Sequence, residues 1–219
     1  MIRNYSFLVL MFTFLTCFST LLHGDDYVPS SQTSIGYQSR SEDRFVRRII
    51  VEGSLANAAY QGDQSSRYTK PNGYSAGVLL DLLGSRDVVL ETGAMYRQFG
   101  TTYNNGLGDN TFTANYISVP IDAKFYLSGQ EVTSLYLKAG FLGSTLISNN
   151  TMYATPTSQF GARSWETAFL GGLGAKFNLT SSTDLLVEVD YSRSIDSVFN
   201  DTTVYRSDLS AALGFAMNL

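Results

Sequence analysis

From Arg48 to Leu219 apolar side chains recur at every second position, and no long stretch repeats with the period of a helix. The stretch "SVPIDAKFYL", Ser118 to Leu127, is the clearest case. Val119, Ile121, Ala123, Phe125 and Leu127 alternate with Ser118, Pro120, Asp122, Lys124 and Tyr126. Successive side chains of a strand point to opposite faces. One face here is therefore wholly apolar, while the other carries a carboxylate and an ammonium. A chain built this way must fold as a sheet whose two faces meet different media.

The same pattern divides the chain into eight segments, at 48–60, 73–83, 88–99, 113–127, 134–147, 164–178, 183–194 and 205–219. Their connections alternate in length. "GSRD", "SGQEVT" and "TSST" are short, whereas 61–72, 100–112, 148–163 and 195–204 are longer and rich in Asn, Gly, Ser and Thr. An even number of strands with short and long loops in alternation predicts an all-β, eight-stranded, antiparallel up-and-down transmembrane β-barrel, with short periplasmic turns and longer extracellular loops.

A soluble carrier barrel of the lipocalin kind would use the same alternation with its apolar face inward. Three features favour the membrane reading. The polar face is mostly Gly, Ala and Ser with isolated charges, which suits the narrow interior of eight strands. About ten residues tilted near 40° cover the roughly 25 Å lipid band. The chain also finishes on the apolar stripe "LGFAMNL", although its last residue is Leu219 and not an aromatic. Charged residues make up only 16% of the chain, fewer than a water-facing exterior of this area would carry.

The first residues form a separate unit. "MIRNYSFLVLMFTFLTCFSTLLHGDD" has one cation, Arg3, then an apolar run to about Leu22 and small and acidic residues. This is the plan of a secretory signal peptide, predicted over 1–24 with cleavage after Gly24 or, alternatively, Ser19. An uncleaved membrane anchor is the other reading, since the run is just long enough to span. Cys17 lies inside the run with Phe14 three positions before it, which does not match a lipid-anchor site. Residues 25–47 are polar and are expected to form a flexible periplasmic arm. The barrel is expected over 48–219. Cleavage would remove Arg3 and leave 14 basic against 19 acidic residues, a net charge of about −5.

"SVPIDAKFYL" followed by "SLYLKAGFLGSTL" resembles the PorT-like outer-membrane β-barrel family, in which a proline-containing strand with a lysine precedes a second lysine-glycine strand. The strand plan as a whole is similar to the OmpA-type transmembrane domain and other small eight-stranded outer-membrane proteins. The resemblance covers nearly all of 48–219 and implies a location in the bacterial outer membrane and a fold more firmly than an activity. Its C-terminal strand is similar to the signal by which barrel assembly machinery recognises such proteins.

Inward-facing charges follow from the alternation. They are Arg97, Lys124, Lys138 and Lys176 against Glu52, Asp81, Glu91, Asp122, Glu188 and Asp190. Counted from the short turns, Asp81 and Glu91 share one depth and Lys124 and Lys138 another. Buried charges need partners, so a cross-lumen salt-bridge cluster that plugs the barrel is expected, against the alternative of a wet, screened lumen. Pro120 removes a ladder donor in a sheet with no edge, which predicts a bulge near residue 120. Tyr74, Tyr96, Phe125, Phe177, Tyr191 and Trp165 fall near strand ends, as membrane-interface aromatics do.

Catalysis finds little support. Ser activation and proton shuttling usually need a histidine, and the sole histidine is His23, ahead of the barrel. An Asp122–Glu188 pair could do acid–base work, but beside lysines it reads better as structure. "NNGLGDN" (104–110) lacks calcium-loop spacing, and "GGLGAKF" (171–177) opens no helix and so is no phosphate loop. No cofactor or metal is expected. No basic patch interleaves with aromatics, which argues against nucleic acid. A monomer is expected, in contact with outer-membrane lipid, non-enzymatic and structural. Any surface ligand, of unknown identity, would meet the long loops at Tyr103, Tyr153, Trp165 and Phe199. A narrow channel for ions or small apolar solutes is the alternative function, and a secreted ligand carrier the second.

Overall fold

The computed structural model describes residues 45–62, 68–84, 87–104, 108–127, 133–152, 162–200 and 203–219. The expected signal peptide and almost all of the arm lie outside the described residues. Eight strands follow in order: β1 Val46–Gly62, β2 Tyr68–Gly84, β3 Val88–Asn104, β4 Asp109–Tyr126, β5 Thr133–Met152, β6 Trp165–Asn178, β7 Thr183–Ser194 and β8 Val204–Asn218. Each is antiparallel to the next, and β8 returns to β1 through an unbroken register from Arg48↔Asn218 to Gly62↔Val204. The ring therefore leaves no sheet edge to pair with another chain.

Several strands outrun the sequence segments at the long-loop end. β2 begins at Tyr68 instead of 73, β3 continues to Asn104 instead of 99, β4 starts at Asp109 instead of 113 and β5 reaches Met152 instead of 147. The added residues are Thr-, Tyr- and Asn-rich. Polarity had marked them as loop, but a strand needs only its ladder partner and a tolerable face. β5, with 20 residues, rises roughly 50 Å at about 3.3 Å per residue and a tilt near 40°. That is about twice the ~25 Å a lipid band requires.

The two faces separate cleanly. Along β4, Asn110, Phe112, Ala114, Tyr116, Ser118, Pro120, Asp122, Lys124 and Tyr126 are all buried, while Ile117, Val119 and Phe125 are exposed. The outward stripe of Val51, Leu55, Val78, Leu137, Leu173, Val189, Leu213 and Phe215 is exposed in the same way. Charge points inward and aliphatic surface outward, the arrangement a bilayer requires and water penalises.

Toward the long loops the chemistry of the faces exchanges, while the phase of the strands is kept except on β5, where the irregularity opposite Asn115/Tyr116 shifts it. Outward positions become Asn57, Asn72, Gln98, Asn115 and Ser148. Inward positions become Phe99, Tyr103, Phe112, Ala114 and Tyr116, which pack with Ala162, Val198, Phe199 and Val204 into one buried apolar cluster. One barrel is thus lipid-facing with a polar interior along part of its length, and water-facing with an apolar interior along the rest.

No bulge forms at Pro120. The β3–β4 ladder passes from Thr92↔Ile121 to Met95↔Ser118 without changing register, and the β4–β5 ladder pairs Pro120 with Leu142. The Pro120 carbonyl accepts from the Thr92 hydroxyl at 2.8 Å, and the register runs on through the position that lacks an N–H. The irregularity in this part of the sheet lies instead at Asn115/Tyr116.

Room for long charged side chains comes from β6. A Cβ on Gly174 would fall within the Tyr136 ring, and one on Gly172 would fall on the Asp190 carboxylate. Two bare positions on one wall therefore let side chains from β5 and β7 occupy the centre of the lumen.

Candidate functional site: the charged lumen

The lumen contains two ion-pair layers with a cavity between them. The layer nearer the short turns is built on β3, β4, β5 and β7. Backbone register places like charges side by side: Asp81 opposite Glu91, Glu91 opposite Asp122, and Lys124 opposite Lys138. Such pairs repel. The arrangement holds because the two lysines insert between carboxylates from opposite walls. Lys124 Nζ lies 2.5 Å from Glu91 Oε2 and 3.3 Å from Glu188 Oε1. Lys138 Nζ lies 2.8 Å from Glu188 Oε2, 3.2 Å from Glu91 Oε1 and 3.6 Å from Asp190 Oδ2. The Tyr136 hydroxyl donates to Glu188 Oε1 at 2.5 Å. Glu91, Lys124 and Glu188 are essentially inaccessible to solvent.

Asp81 joins this layer through Arg48, whose Nη2 approaches its Oδ2 to 2.7 Å and donates to Tyr126 Oη at 2.9 Å. Arg48 Nη1 also reaches Asp184 at 3.4 Å. Two members of the expected cluster are inside but unpaired. Neither Asp122 oxygen has a hydrogen-bond partner, nor does Glu52 Oε2, and neither residue takes part in an ion pair among the described residues. Lys176 is buried farther toward the short turns, in register with Ser134 and Leu186.

Arg97 belongs to the second layer, not to the lysine cluster. Its Nη2 lies 3.3 Å from Asp208 Oδ2, and the same carboxylate oxygen takes Arg206 Nε at 3.1 Å. Arg206 Nη2 reaches Glu166 Oε2 at 3.1 Å. The Arg206 guanidinium lies over the Phe99 ring, with Cζ 3.5 Å from the ring centroid, so one cation joins the ionic layer to the apolar cluster. Arg48, Glu166, Asp184, Arg206 and Asp208 were not among the sequence-derived charges. All share the inward phase of their strands, and continuing the alternation to the strand ends would have found them.

The loop candidates separate. Tyr103 and Phe199 are buried in the apolar cluster and present no surface for a ligand, because β3 continues past Phe99 and the β7–β8 connection turns inward. That connection is tied down: Arg163 N–H donates to Val198 O at 3.0 Å, and Val198 N–H to Val204 O at 2.8 Å. Trp165 is exposed, with its indole N–H on Thr167 Oγ1 at 3.2 Å. Tyr153 lies outside the described residues. Tyr74, Phe125, Phe177 and Tyr191 also face outward, and Tyr96 donates its hydroxyl to Asn115 Oδ1 at 2.8 Å, at the edge where the outer face turns polar.

The family model for the outer membrane protein β-barrel domain matches residues 37–200. Among solved structures, the outer membrane protein OprG from Pseudomonas aeruginosa is similar, with 13% identity, 80% of this chain and 97% of that chain covered, and a TM-score of 0.57. Neisserial surface protein A shares 16% identity over 78% of this chain and 97% of its own, with a TM-score of 0.49. AlkL, solved in lipid bilayers, shares 13% identity over 85% and 98%, with a TM-score of 0.42. No curated protein matches in sequence.

Proposed function

Since the chain belongs to the outer membrane protein β-barrel domain family, and so resides in the bacterial outer membrane, we propose that it is a non-enzymatic barrel with a closed lumen whose work is done at its surface end. One observation carries this reading. Lys124 and Lys138 are clamped between Glu91 and Glu188 from opposite walls, so ion-paired side chains fill the middle of the cross-section. The Arg206–Glu166–Asp208 layer and the inward-turned β7–β8 loop add a second closure. The chain's only histidine and only cysteine precede the barrel, and the interior carboxylates are engaged by or crowded beside lysines, which favours structure over catalysis. The polar extension of β2–β5 and the long loops then form the surface available to a partner outside the cell, with exposed Trp165 at its base. The apolar C-terminal strand, paired to both β7 and β1, is the segment offered to the assembly machinery.

Conductance tests the proposal. Purified barrel in a planar bilayer at neutral pH is expected to give no steady unitary current, and Glu91→Ala/Lys124→Ala is expected to produce one. A stable wild-type conductance would instead support the narrow-channel function.

A further inference from the structure

The ion-pair layer nearer the short turns is not electrically balanced. Glu52, Asp81, Glu91, Asp122, Asp184, Glu188 and Asp190 are buried there, against Arg48, Lys124, Lys138 and Lys176. Among the described residues seven carboxylates meet four cations, so with every group ionised the layer would carry three negative charges in excess in a region water barely reaches. Uncompensated charge of that kind is strongly unfavourable.

The excess has a location. Glu52, Glu188 and Asp190 each offer a carboxylate oxygen, and these oxygens lie within 4.8 Å of one another. Lys138 engages Glu188 at 2.8 Å but reaches Asp190 only at 3.6 Å, through Oδ2. Asp190 Oδ1 and Glu52 Oε2 are buried with no hydrogen-bond partner. Both residues line a cavity of about 50 Å³, whose wall also includes Ser54, Ser192 and Ser210 together with Lys138 and Arg97, both already engaged by carboxylates. A single water needs on the order of 10–15 Å³ by the same measure, so the space admits an ion with part of its hydration shell.

From this juxtaposition we propose that the lumen holds a hard divalent cation of the calcium type, ligated by Glu52, Asp190 and Glu188 and completed by water and serine hydroxyls. The donor set is all oxygen, as calcium and magnesium prefer and softer metals do not. Carboxylates within 4.8 Å, close enough to repel when bare, are what such an ion bridges. Calcium is favoured over magnesium because the set is irregular and reaches from β1 across to β7, and magnesium demands near-ideal octahedral geometry. The proposal goes beyond the closed-lumen reading and does not depend on whether the barrel conducts.

Terbium is the direct probe. Its emission is excited through a nearby tyrosine, and the Tyr136 hydroxyl lies 2.5 Å from the Glu188 carboxylate. Full-length barrel, refolded without lipopolysaccharide and stripped with EDTA, is titrated with Tb³⁺ under tyrosine excitation. Saturable emission with one ion per barrel, displaced by Ca²⁺, is expected. Glu52→Gln and Asp190→Asn are each expected to weaken binding at least tenfold, while a heat-dependent gel shift confirms that the variant is folded. Absence of saturable emission in the wild type would overturn the site. So would undiminished binding in either folded variant, or thermal unfolding of the wild type that is unmoved by Ca²⁺ while Glu52→Gln raises it. The last pattern would mean that protons, not a metal, neutralise the excess.

Discussion

Lys138→Met removes the ammonium shared by Glu188, Glu91 and Asp190 while keeping an unbranched side chain of similar length. Breaking a buried ion pair from one side typically costs about 3–5 kcal/mol, because the abandoned charge stays desolvated. Three carboxylates lose a partner here, but Glu91 and Glu188 keep Lys124 at 2.5 and 3.3 Å. The lower part of that range, about 3 kcal/mol, is therefore expected. Trp165 is the sole tryptophan and faces outward, so its fluorescence follows urea unfolding from vesicles without further labelling. The midpoint should fall with an unchanged denaturant slope, the sign of lost stability and not of altered compactness. A double-mutant cycle with Glu188→Gln should return a coupling of at least about 1 kcal/mol, since contacting residues in one network do not add. A shift below about 0.5 kcal/mol, the range of an ordinary surface substitution, would refute the clamp. Strict additivity of the two variants would refute it independently.

Two further perturbations address what surrounds the clamp. Gly174→Ala puts a methyl group where the Tyr136 ring lies and should displace its hydroxyl from Glu188, costing about 1–3 kcal/mol as overpacking does and lowering the temperature of the gel shift. Leu213→Arg places a charge on the exposed apolar stripe of β8 and should cost about 2–4 kcal/mol in vesicles if that position lies near the bilayer midplane; an unchanged unfolding midpoint would place Leu213 outside the hydrocarbon.

How much of this was legible in the sequence depends on the scale of the question. Side-chain direction was, because a strand's period of two leaves no freedom once its phase is known. The phase that put Asp122 and Lys124 together also put Phe112 and Asn110 inside. Depth was legible where a short turn served as origin: Asp81 pairs with Glu91 and Lys124 with Lys138. What could not be read was where a strand stops. Thr, Tyr and Asn are as compatible with an extended ladder as with a loop, so Tyr103 and Phe112 were lost to a supposed loop, whereas Glu166, Arg206 and Asp208 lay near the ends of the expected segments 164–178 and 205–219 and were passed over there. Partnership across the lumen was equally hidden. The bond from Lys138 to Glu188 spans 50 residues of sequence and depends on the curvature of the whole ring, to which alternation is blind. Pro120 misled because the loss of one N–H does not by itself shift the ladder, and both neighbouring strands keep their register past it.

The exchange of faces along the strands has a mechanical consequence. Raising the barrel relative to the bilayer would pull Val51, Leu137 and Phe215 into water, and lowering it would drive Asn57, Asn72, Gln98 and Asn115 into hydrocarbon. Both displacements are opposed on several strands at once, so the outer surface works as a waterline with restoring force in either direction. The membrane is thereby held at a fixed height, and the aromatic-filled end of the barrel is kept standing clear of it.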